Sequence, residues 1–277
     1  IVLAEPTQAR TGFDFELVPL APAGCGFRGL CLAAERFEVE VSWRDFSGFG
    51  ERAGAEALTD DAGYFWFLDD ENVEMVAKVV DACAGPNPGF WFFAAGLTNF
   101  EVETKVTDLL TGEVKTYRNP LGQPFQPILD TNAFSFCTAA AAPRAAERPE
   151  PEPRLPKLFE SCEEDGHALC LNDGRFQVEA FYETFLGETG MAHAVSLTED
   201  AGYFWFFDDD NVEVVVKVLD GCFAAEPRFW VFAAGLTNVE VLLRVTDTET
   251  GAVKEYRNPL ATPFQPILDT GAFATCP

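Results

Sequence analysis

Ala62-Gly63-Tyr64-Phe65-Trp66-Phe67 returns unchanged as Ala201-Gly202-Tyr203-Phe204-Trp205-Phe206. The stretch is too short for a helix and rich in strand formers. In a strand with one buried face only alternate residues point inward, so two aromatics of each stretch are expected to face outward, against the other copy, a partner or a ligand. The recurrence extends far beyond these six residues. Tyr117-Arg118-Asn119-Pro120-Leu121 returns as Tyr256-Arg257-Asn258-Pro259-Leu260, and Cys31 to Cys137 aligns with Cys170 to Cys276 at a constant offset of 139 without insertion or deletion. About three positions in five are identical. A unit this long is a duplicated domain, since solenoid repeats run about 20–50 residues. A function of the repeat is therefore expected twice, and a residue present in one copy only is a poor catalytic candidate.

Outward from the aromatic stretch, strand signals continue. Arg36-Phe37-Glu38-Val39-Glu40-Val41-Ser42-Trp43 alternates with period two, as does Arg175 to Phe181, the pattern of a half-buried strand. Val73–Val80 and Val212–Leu219 are Val-rich; Phe90–Phe93, Phe100–Thr107 and Val114–Tyr117 follow, with counterparts in the second copy. Asp70–Lys78 comes nearest to a 3.6-residue period, but its β-branched residues favour a strand. The loops Asp108–Gly112 and Asp247–Gly251 read as hairpin turns whose glycine supplies a positive φ. Six or seven short strands per repeat predict an all-β fold: two tandem antiparallel β-sandwiches, immunoglobulin-like or fibronectin-like, with a jelly roll as the other form. The expected organisation is an N-terminal extension strand over 1–24, a first sandwich over 25–137, an Ala/Pro/Glu-rich linker over 138–157 and a second sandwich over 158–277. Alternating prolines in Arg148–Arg154 predict an extended, semi-rigid spacer.

The 277 residues suit two domains of ordinary size, and 27 Phe can fill two cores. No apolar run approaches the ~20 residues that span a bilayer, so the chain is not expected to cross a membrane. A formal charge of −26 argues against nucleic acid and anionic lipid, which bind basic surfaces. The eight cysteines fall four to a copy, and an even set repeated in register reads as two disulfides per domain. A zinc site is the weaker reading, because there is no CxxC pair and there are only two His. Of the three connectivities open to each copy, the expected ones are Cys31–Cys83 with Cys25–Cys137, and Cys170–Cys222 with Cys162–Cys276. Disulfides place the chain outside the cytosol. A chain beginning at Ile1 fits a signal peptide already removed.

Four constellations bear on function. Asp69, Asp70 and Asn72, with Asp208, Asp209 and Asn211, form acidic turns whose hard oxygens suit calcium; Asp and Asn are equally common in plain turns. Trp66 and Trp205 are the aromatics most open to an exposed, sugar-stacking role, against the commoner role of filling a core or interface. Catalysis finds little support. His167 and His193 occur only in copy two, aligned with Arg28 and Gly54, while Ser42, Ser47 and Ser135 have no serine counterpart. No nucleophile–base–acid set is duplicated, so no enzyme is expected. Finally, Phe13-Asp14-Phe15-Glu16-Leu17 alternates apolar and acidic residues before the first repeat. It either completes its own domain or inserts into a neighbouring subunit, with Phe13, Phe15 and Leu17 as the inward set; head-to-tail insertion does not close and builds filaments.

Cys170-Leu171-Asn172-Asp173-Gly174-Arg175-Phe176, Gly202–Phe207, Asp210–Cys222 and Val245-Thr246-Asp247-Thr248 through Tyr256-Arg257-Asn258-Pro259 resemble a repeat domain of secreted bacterial proteins. The first copy departs at Ala33-Ala34-Glu35, which stands where Asn172-Asp173-Gly174 does. The resemblance implies an extracellular or cell-surface setting in a bacterium and carries over no catalytic residue. The sequence therefore leads to a non-enzymatic structural or adhesive protein, a filament subunit joined through its N-terminal strand. Its expected partners are further copies of itself or other surface proteins. The alternative is a ligand-binding module for glycans or calcium.

Overall fold

The computed structural model describes residues 25, 29–137, 162 and 165–277. The expected strand donor Phe13, Phe15 and Leu17 and the spacer 138–157 lie outside the described residues. Every regular element among the described residues is a strand. The first copy contributes β1 (Leu30–Leu32), β2 (Phe37–Arg44), β3 (Gly50–Arg52), β4 (Gly54–Ala57), β5 (Ala62–Trp66), β6 (Val73–Asp81), β7 (Phe90–Gly96), β8 (Glu101–Asp108), β9 (Val114–Asn119) and β10 (Ile128–Phe134). The second repeats the series as β11 (Ala168–Leu171), β12 (Phe176–Glu183), β13 (Thr189–Met191), β14 (His193–Ser196), β15 (Ala201–Trp205), β16 (Val214–Asp220), β17 (Phe229–Gly235), β18 (Glu240–Asp247), β19 (Val253–Asn258) and β20 (Ile267–Phe273).

Each copy is a two-sheet antiparallel sandwich. One sheet of the first copy runs β1-β2-β8-β9 with β3 also on β2; the other runs β10-β7-β6-β5-β4. A single extended segment feeds both sheets, because Ala53 still donates its N–H to Val41 O (2.9 Å) before β4 pairs with β5. Ala192 and Ala180 make the same crossing in the second copy. Alternation in β2 buries Phe37, Val39, Val41 and Trp43, and these meet Phe90, Phe92 and Phe134 from the facing sheet. Phe37 lies 5.0 Å from both Phe90 and Phe134, ring centre to ring centre. Phe176 takes the same place against Phe229 and Phe273.

One end of each sandwich is closed by a buried cation. Arg36 donates to Asp108 Oδ2 (2.8 Å) and to Phe136 O (2.7 Å) and lies 4.2 Å from the Phe90 ring centre. Arg175 repeats this with Asp247, Thr275 O and Phe229. The segment after β10 is thus tied to the start of β2, and the strong charge-assisted bonds keep Asp108, fully buried, ionised.

The disulfides correct the expected pairing. The bonds are Cys25–Cys31 and Cys83–Cys137, then Cys162–Cys170 and Cys222–Cys276. Alternation decides it. Leu30 and Leu32 point into the core, so Cys31 between them points out of the sandwich and cannot reach Cys83 on the other sheet. Asp81, Phe90 and Phe134 are register neighbours across β6, β7 and β10, which brings Cys83 and Cys137 to one end of one sheet.

The β1–β2 turn keeps a left-handed run in both copies. Asn172, Asp173 and Gly174 have φ of 52°, 58° and 82°; Ala33, Ala34 and Glu35 have 53°, 53° and 63°. Asn, Asp and Gly tolerate this region, whereas other L-residues are strained there.

Two outcomes are expected. The Cys83→Ala/Cys137→Ala variant should lose about 4 kcal/mol and Cys25→Ala/Cys31→Ala about 2 kcal/mol, in proportion to loop closure; urea melts of the variants measure the difference. Glu35→Gly should stabilise the protein by about 0.5–1 kcal/mol by relieving the left-handed strain, seen in the same melts.

Candidate functional site

A lysine interrupts each Val-rich strand: Lys78 in β6 and Lys217 in β16. Met75, Ala77 and Val79 of β6 point into their own sandwich. Val76 and Lys78 take the opposite face, and so do Tyr64 of β5 and Ala95 of β7. That face is not exposed. It packs on the same face of the second copy, so that the two inner sheets meet and four sheets form one stack. The buried residues of this seam are Ala62, Tyr64, Val73, Val76, Ala95 and Leu97 against Ala201, Tyr203, Val212, Val215, Ala234 and Leu236. Each has its own counterpart 139 positions away.

The two lysines cross the seam reciprocally. Lys78 Nζ donates to Asn211 Oδ1 (2.6 Å) and Val212 O (2.9 Å) and lies 3.7 Å from Glu213 Oε1. Lys217 Nζ donates to Asn72 Oδ1 (2.7 Å), Val73 O (2.9 Å) and Glu74 Oε1 (3.4 Å). Asn72 and Asn211 in turn donate their amide N–H to Glu74 and Glu213. Both lysine residues are almost fully buried, at 4% and 1% exposed. Burial pushes Lys78 and Lys217 down and Glu74 and Glu213 up, and each ion-pair partner opposes the shift. Lys217 has three acceptors, and Lys78 has two beside a carboxylate at 3.7 Å, so the lysines act as structural donors and are not accessible nucleophiles.

On one rim of the seam lies a groove of roughly 700 Å³. Asp61 and Trp91 of the first copy line it together with Phe207, Asp208 and Asp210 of the second. Asp61 is half-buried. Burial first, then repulsion from Asp60, Asp210, Asp81 and Asp208, push its carboxyl up from 3.8 to about 6. Asp200, its counterpart, is raised mainly by burial, but Thr198 Oγ1 donates to it at 2.7 Å and Lys217 opposes the shift.

The structure redistributes the residues expected to bind ligands. Asn72 and Asn211 are not free calcium ligands: their carbonyl oxygens accept from the lysines of the opposite copy. Asp69 and Asp208 accept from the backbone N–H of Glu71 and Asp210, ordinary turn bonds. Asp208, Asp209 and Asp210 are exposed and bring a carboxylate oxygen each within 4.8 Å of the others, while Asp69 and Asp70 are exposed on the first copy. Trp66 and Trp205 are only half-buried, but neither is a free platform, since both pack against the seam. Trp66 lies over Gly54, where an added Cβ would come within 2.1 Å of it; Trp205 stacks on His193 at 3.9 Å between ring centres. The outward aromatics that alternation requires are Tyr64 and Trp66, with Tyr203 and Trp205, and the face they take is the seam. The sequence signal for Lys78 and Lys217 is a cation recurring at one place inside a Val-rich strand.

No protein-family model, no curated protein and no solved structure matches the chain.

The acidic rim sets a pH dependence. Because Asp61 is raised, its stabilising share is fully present below 3.8 and is lost as pH rises through about 6. Burial alone would raise Asp108 and Asp247, but hydrogen bonds and the nearby arginines hold both low; their share is present above the ordinary carboxylate range and is lost as pH falls below it. Stability should therefore rise from pH 7 to about 5 and fall below about 4. Asp61→Asn should add about 1–2 kcal/mol at pH 7, after allowance for partial exposure, and flatten the rise between pH 7 and 5. Denaturant melts across pH 3–8 test both arms.

Proposed function

We propose that this chain is a non-enzymatic structural or adhesive protein that works outside the cytosol, as a subunit of a bacterial cell-surface filament or matrix. The observation that carries this reading is the seam. Two sandwiches that could have been beads on a string are instead fused through a buried, reciprocally bonded face, with a disulfide closing the C-terminal end of each. A rigid body of this kind transmits load without a moving hinge, and disulfides resist unfolding where no reducing system protects the chain. The chemically richest duplicated groups, the lysines and their Asn and Glu partners, are consumed in holding the two copies together.

Assembly is assigned to residues 1–24, with Phe13, Phe15 and Leu17 as the side chains that enter a neighbour. Strand addition needs an open sheet edge. Among the described residues β9 and β19 each have one strand neighbour, and Val114 and Val253 stand exposed on them. The alternative, a glycan- or calcium-binding module, has less support, because the two tryptophans lean on the seam and the two Asn carbonyls are already engaged.

Electron microscopy of the full chain should show fibres, and deletion of residues 1–20 should abolish them while the thermal melt of the two sandwiches stays unchanged. A truncated chain that still polymerises, or a full chain that remains single particles at high concentration, would sink the proposal.

A further inference from the structure

We infer that the seam face of each repeat is a self-complementary docking surface whose partner is a second copy of the same repeat, so that this chain is a tethered version of an isologous homodimer. The inference is independent of the filament reading.

Three observations support it. First, the contacts are two-fold in character. Lys78 reaches Asn211 and Val212 O, and Lys217 reaches Asn72 and Val73 O. Each face thus carries both the donor and its acceptors, and substituting one copy for the other leaves every group of the crossed pair with a partner. That is the defining property of an isologous contact. Second, the buried seam residues are the same in both copies, although about two positions in five differ elsewhere. Among strand residues the drift is heavier on the outer sheet, where Val41, Ser42, Trp43 and Arg44 of β2 stand opposite Ala180, Phe181, Tyr182 and Glu183 of β12. Third, all four disulfides join cysteines within one repeat, so among the described residues the seam itself is held without a covalent bond. A lone repeat would expose Tyr64, Val73, Val76 and Leu97 as one apolar strip around an unpartnered lysine. Patches of that kind seek cover, and the cover that fits is another copy.

The test uses the folded full chain with a protease site placed in the 138–157 spacer. After cleavage, brief incubation in urea below the unfolding midpoint allows the halves to exchange, and native mass spectrometry reads the products. Three masses should appear, the original pair and the two homodimers, approaching a 1:2:1 distribution. Persistence of the original pair alone, or release of folded monomers at about 10 μM, would overturn the inference. Lys78→Glu in the same chain supplies an internal control. It places an acid against Asn72 and Glu74 in the first-repeat homodimer, which should weaken at least about a hundredfold, and against Asn211 and Glu213 in the original pair, while the second-repeat homodimer, which contains no mutation, persists and gains in share. Loss of both homodimers together, or survival of both, would equally count against it.

Discussion

The inner sheets of this protein are buried on both faces, and most of the remaining architecture depends on that constraint. A strand in such a sheet must be largely apolar on both sides, which is why β6 and β16 read as Val-rich segments where β2 and β12 alternate. The cost is concentrated in two places, Lys78 and Lys217. Removing an ammonium from water costs several kcal/mol even after relaxation. Burying a Val, Leu or Met side chain contributes about 1.5–3 kcal/mol, and the seam buries several from each copy. The apolar residues therefore hold the copies together. The lysines penalise any other alignment, because a shift of one residue would separate each Nζ from its Asn, its carbonyl and its Glu.

The same economy appears at the ends of the sandwiches. Arg36 and Arg175 bind a carboxylate, a carbonyl and an aromatic face at once, and the disulfides Cys83–Cys137 and Cys222–Cys276 sit beside the segments those carbonyls belong to. Both devices act on the chain after the last strand, the part of an edge-built sandwich most prone to fray. With the two copies fused across the middle and both ends tied, the described protein has its polar chemistry invested in cohesion.

The fold was largely legible in the sequence. The exact 139-residue offset revealed the duplication, and the alternation of Phe37, Val39, Val41 and Trp43 identified a half-buried strand whose inward face the structure confirms. Alternation also required two aromatics of Tyr64–Phe67 to face outward; that these are Tyr64 and Trp66, with Phe65 and Phe67 in the core, came from the structure. Less legible were the short strands β1, β3 and β4, which carry too few residues for a period to emerge, and β10, whose burial does not alternate. The disulfide pairing was missed although a local cue existed, since a cysteine between two buried leucines must face away from the core.

Duplication, strand character, oxidation and the presence of an outward aromatic face are local properties, set by composition and by which side chains alternate, and the amino-acid sequence determined them alone. What that outward face meets is not local. Lys78 lies 133 residues from the Asn211 oxygen it binds, and Cys83 lies 54 from the cysteine it joins. Only the tertiary structure decided those partners, because they depend on how whole sheets stack, and nothing within one strand encodes the position of another.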